Sequence, residues 1–78
     1  MQAARRVFGP ATEALRRATE IEPWVAYPHY VLGNVRRDAG DREGAATEYR
    51  RYLALAPQSD PNVGAARQRL AALSAPAP

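Results

Sequence analysis

The sequence predicts an all-α protein of antiparallel helix-turn-helix units, and three observations carry that prediction. Apolar residues recur at helical spacing in two neighbouring windows, Tyr27 to Ala39 and Ala45 to Ala56. Between the windows stands Gly40-Asp41, a glycine suited to the left-handed position that ends a helix and an aspartate suited to cap the next. A block of sequence also repeats at a spacing of 34 positions. Ala11 falls on Ala45, Arg16 on Arg50, Arg17 on Arg51 and Pro23 on Pro57, with Leu15 on Tyr49 and Ile21 on Leu55. Periods of this length point to stacked units that cannot each bury an apolar face alone.

The elements follow in order. Residues 1–8 extend as a further helical turn or a longer arm. A helix near 10–22 is entered through Gly9 and Pro10, with proline at a first-turn position, and carries Ala11, Ala14, Leu15, Ala18 and Ile21. The next, near 26–39, sets Tyr27, Val31, Leu32, Val35 and Ala39 on one face. About two residues then join it to a helix near 42–56, too few for anything but an antiparallel hairpin. That helix carries Ala45, Tyr49, Tyr52, Leu53 and Ala56 and is ended by Pro57. Asp60-Pro61 reads as an N-cap and first-turn proline opening a last helix near 61–73. Val63, Ala66, Leu70 and Leu73 line its buried stripe, with Arg67 and Gln68 facing away. The expected core is Leu15, Ala18, Ile21, Val31, Leu32, Val35, Ala45, Tyr49, Leu53, Leu70 and Leu73.

Composition narrows the classes of function. A chain of 78 residues holds one small domain with a thin core. It has no cysteine, hence neither disulfides nor thiolate metal sites. No stretch approaches the length of a membrane span, and Arg5-Arg6-Val7-Phe8 is not followed by the apolar run of an export signal, which points to the cytoplasm. All eleven basic residues are arginine, which with abundant Ala and Pro fits a GC-rich bacterial coding bias. A net charge of +3 with acids interspersed among the arginine pairs describes solvated helix faces better than a phosphate-tracking stripe, so nucleic acid is not the expected partner.

Signs of catalysis are few. His29 is the single histidine, with no titratable group evident to orient it, and reads as a packing residue. Glu20 and Glu22 fall on different helix faces, which excludes a paired-carboxylate site. No glycine-rich phosphate loop and no set of metal ligands is evident, so the reading is a protein without cofactor, metal or enzymatic activity. Trp24 follows Pro23 in a turn, where an indole is expected to cover the seam between helices.

Leu32-Gly33, Ala45, Tyr49 and Pro57 resemble the tetratricopeptide repeat, whose pattern is W-x2-L-G-x2-Y…A-x3-F…P over 34 residues. His29, Arg36 and Tyr52 depart from it. The resemblance implies a fragment of an α-solenoid spanning 1–73. A truncated first repeat occupies 1–23, a complete repeat 26–59 and a capping helix 60–73, followed by a flexible Pro/Ala tail at 74–78. It also implies a groove lined by first helices that holds a protein or peptide partner. Carried over, the partner-binding positions are Tyr27, Tyr30, Asn34, Arg37 and Gln68, with Gly64 beside them. Asn34 matches the Asn by which some family members grip a terminal carboxylate, but Tyr30, Pro61 and Ala65 stand where those members need basic residues, so a carboxylate clamp is not expected. The alternative function is self-assembly, or a segment of a longer solenoid. With the first repeat truncated, an apolar edge at Phe8 and Leu15 is expected to join two copies as a dimer.

Overall fold

A computed structural model of the protein describes residues 2–74, with the side chains of 9–10 and 12–74. The described chain contains four helices and no strand: α1 (Gln2–Ile21), α2 (Ala26–Asp38), α3 (Arg42–Leu55) and α4 (Val63–Ser74). None of them is long and apolar enough to cross a membrane. The expectations about the Phe8 side chain and the tail at 75–78 lie outside the described residues.

Local chemistry explains the α2–α3 turn. Gly40 has a φ of +87°, where a side chain would be strained. Its amide donates to the Arg37 carbonyl at 3.0 Å and that of Asp41 to the Arg36 carbonyl at 2.8 Å, closing α2 in a Schellman motif. Asp41 then turns its carboxylate onto the Gly44 amide at 2.9 Å and caps α3. A Cβ at Gly44 would crowd the Asp41 carboxylate, so a larger residue there would have to displace the cap.

Two helix starts differ from expectation. Helix α1 does not begin at Pro10; it runs through it, and Pro10 forfeits the ladder bond to the carbonyl four residues earlier. Helix α4 begins at Val63, because the first turn after Asp60 is tighter than α-helical. The Asp60 carboxylate accepts from the Asn62 amide at 2.9 Å, while the Val63 amide reaches the Asp60 carbonyl at 3.1 Å, an i to i−3 bond. The far end of α4 is held by Arg42, whose guanidinium donates to the Leu73 carbonyl at 2.8 Å.

The core is tyrosine-rich. Tyr30, Ala45, Tyr49, Tyr52, Val63 and Ala66 form one buried cluster across α2, α3 and α4, with Val31, Leu53, Leu70 and Leu73 packed partly against it. The Tyr30 ring lies 5.2 Å from Tyr52 and 6.2 Å from Tyr49, both tilted, as aromatic pairs prefer. Gly33 is the close approach that admits them: a Cβ there would sit 2.7 Å from the Tyr49 ring. Leu32, Ala45 and Tyr49 are fully or nearly buried as expected, while Leu15, Ala18 and Val35 are half-buried. Ile21 is not core. It ends α1 and is 71% exposed, because no other helix covers that last turn. Substantial contacts join only sequence neighbours, α1 to α2, α2 to α3 and α3 to α4. The result is a slab of 38 × 38 × 17 Å.

Candidate functional site

One face of α2 meets α4 around the Asn34 side chain. The Tyr49 hydroxyl, reaching across from α3, donates to Asn34 Oδ1 at 2.5 Å. Arg69 of α4 donates from one nitrogen to that same oxygen and to the Tyr30 hydroxyl, each at 2.7 Å. Its guanidinium carbon also lies 5.5 Å from the centre of the Tyr30 ring, within cation–π range. Burial pushes the Tyr49 phenol up, opposed by the positive charges of Arg37 and Arg69.

The arrangement has one chemical sense. With two donors on its oxygen, Asn34 has only its amide hydrogens to offer. Arg69 keeps its other N–H groups and has no carboxylate within ion-pair distance among the described residues. Arg37 is paired only with its neighbour Asp38, at 3.1 Å and well exposed. Tyr27 stands beside them, 59% exposed, its ring 6.3 Å from that of Tyr30. The patch therefore presents donors and positive charge on a face that also carries Tyr27, a chemistry complementary to carbonyls or carboxylates.

The residues expected to line a groove fare differently. Tyr27, Asn34 and Arg37 lie along α2, and of the three Asn34 is bonded to Arg69. Tyr30 does not open onto a groove; its ring is buried at 9% exposure and only the hydroxyl reaches Arg69. Gln68 and Gly64 are exposed, but the α4 residue that meets Asn34 is Arg69. Arg69 follows Ala66 by three and precedes Leu73 by four, so its position at the edge of the buried stripe was the available signal.

A second polar cluster lies at the other side of the hairpin. His29 is 3% exposed, and contrary to expectation a titratable group does orient it: Nδ1 is 2.8 Å from Oε1 of the buried Glu48. Its Nε2 is 3.0 Å from the Pro23 carbonyl, which only accepts, so this nitrogen carries a hydrogen and donates. Arg51 completes the chain, donating to Glu48 Oε2 at 2.9 Å. The cluster ties the α1–α2 turn to α3. Trp24 does not cover a seam; it projects into solvent, 67% exposed.

No family model, curated protein or solved structure matches this chain.

Proposed function

We propose that the protein is a non-catalytic binding module of the tetratricopeptide type, which docks an acidic polypeptide segment across the α2–α4 face. The single observation that carries this reading is Arg69. A half-buried guanidinium, held by Tyr30 and Asn34 and lacking a carboxylate, is an anchor with its charge unspent. Arg37 and the Asn34 amide supply further donors, and Tyr27 supplies apolar area at little entropic cost. Support for the repeat type comes from the close Gly33–Tyr49 packing and from helices whose most extensive contacts are with their neighbours in sequence.

The test is fluorescence anisotropy with three labelled peptides of equal length, acidic, neutral and basic, and a single-stranded oligonucleotide beside them. The acidic peptide is expected to bind best, and Arg69→Ala to weaken it about tenfold, as loss of a buried charge-assisted bond does. Equal binding of all three peptides, indifference to Arg69→Ala, or a preference for the oligonucleotide with a steep salt slope would overturn the reading.

A further inference from the structure

We propose that His29 is a pH-operated latch, which fastens the α1–α2 turn to α3 when its ring is doubly protonated and releases the turn when one ring proton is lost. Both ring nitrogens face acceptors. Nε2 lies 3.0 Å from the Pro23 carbonyl, and Nδ1 lies 2.8 Å from Glu48 Oε1. A carbonyl only accepts, and the second contact also needs a proton between nitrogen and oxygen. Arg51 donates to the other Glu48 oxygen at 2.9 Å and favours the carboxylate, so that proton belongs to the ring. A neutral imidazole has one N–H and cannot serve both acceptors. The two bonds and the imidazolium are therefore present together or not at all.

The surroundings decide which bond yields. The side chains of His29 and Glu48 are 4% and 7% exposed, so neither has water at hand to replace a lost partner. On deprotonation, the tautomer that keeps Nδ1–H retains the charge-assisted bond to Glu48. The other tautomer sets a bare nitrogen lone pair against a carboxylate oxygen. The first is favoured, and its Nε2 lone pair then opposes the Pro23 carbonyl. The turn has to move off the ring, whereas α3 stays attached. Among the described residues, the charged groups that touch the ring or line its groove are Glu48 and Arg51 of α3 and Glu20 of α1. Glu20 is tied to Arg16 and Arg51 to Glu48, so neither takes over the bond to Pro23. The groove itself opens to solvent and gives the proton its way in and out. Pro23 lies two residues past the end of α1, so its release loosens the joint between α1 and the α2–α3 hairpin.

The latch is shut on the acid side of the ring's titration and opens as pH rises through it. Nitrogen-15 NMR of the single histidine tests this from about pH 5 to about pH 9, which spans the range where imidazoles titrate. Both ring nitrogens are expected to carry protons at the acid end, and Nε2 rather than Nδ1 to lose its proton. The Val25 amide, which donates to the Glu22 carbonyl across the turn at 3.1 Å, should lose about tenfold in exchange protection over the same titration. Emission of Trp24, the only tryptophan and the next residue after Pro23, should change in step. Glu48→Gln is the decisive variant. Its side-chain amide can donate to Nδ1, so the neutral ring keeps Nε2–H on the Pro23 carbonyl and the pH response of Val25 and Trp24 should vanish. His29→Gln, which does not titrate, should abolish that response as well, and unchanged far-UV circular dichroism verifies that both variants fold. The NMR titration of the unaltered chain decides the matter without either variant. Loss of the Nδ1 proton in place of the Nε2 proton, a ring that does not titrate in this range, or a pH response that survives Glu48→Gln would overturn the proposal.

Discussion

Single side chains set the chemistry of this small core. The Tyr52 hydroxyl is buried without a hydrogen-bond partner of good geometry, while the Asp60 carboxylate lies alongside. Burial, then Asp60, pushes the Tyr52 phenol up to about 12, and Tyr52 and the Asn62 amide hold Asp60 below the usual carboxylate range. A tyrosine whose folded pKa is raised stabilises the fold fully below its unfolded value near 10, and this contribution is lost as pH rises from 10 toward 12. Asp60 acts in the opposite sense, its contribution fading as pH falls through its lowered value. Tyr52→Phe should therefore lower thermal stability slightly at neutral pH, since Asp60 loses the phenol that favours its charged form. It should also reduce the alkaline loss and return Asp60 toward an ordinary carboxylate in a carbon-13 NMR titration. An unchanged or higher melting temperature at neutral pH would mean that the hydroxyl is a buried group without a partner. Gly33→Ala tests the closest packing. Its Cβ meets the Tyr49 ring at 2.7 Å, so overpacking of about 1–3 kcal/mol is expected in chemical denaturation. The small-residue position at Gly33 was legible from its spacing to Ala45 and Tyr49. The His29–Glu48 pair was not, because it joins two helices through residues 19 apart that share no sequence motif. Removing His29 takes one hydrogen bond from the buried Glu48, which keeps Arg51, and another from the Pro23 carbonyl. His29→Ala should cost roughly 1–3 kcal/mol, read from urea midpoints, the penalty of buried polar groups left without a partner.

At the scale of elements, local signals proved readable where they were sufficient to set the backbone. Gly40 and Asp41 fix the α2–α3 turn within neighbouring residues, and their chemistry is written in the chain. The ends of α2 and α3 accordingly fall within one residue of expectation. Pro10 misled, because a proline at a helix start and one inside a helix look alike in sequence. Arg69 was hidden by register, since the tight turn after Asp60 determines which α4 residues come round to Asn34. Helix α1 also carries two poor helix formers in succession, and the space about Gly9 is open to a Cβ. Gly9→Ala together with Pro10→Ala should raise stability by about 1–3 kcal/mol and increase helicity in circular dichroism. An unchanged or lower melting temperature would show that the native backbone of α1 departs from helix at this point.

For the whole molecule, the decisive fact is that contacts run down the chain from each helix to the next. Hydrogen exchange should grade along it, slowest in α2 and α3 at the tyrosine cluster and fastest in α1, which packs on one neighbour only. Equal protection of α1 and α3 would indicate a single cooperative unit. The same arrangement sets the speed of folding. Each helix finds its partner across a short connection, so little loop entropy stands between the unfolded chain and its first stable hairpin. A chain of low contact order folds in microseconds to milliseconds, and the α2–α3 hairpin supplies the obvious nucleus on which α1 and α4 condense. Under tension applied at its two ends the molecule should yield in stages, shedding its outer helices while the central pair still holds.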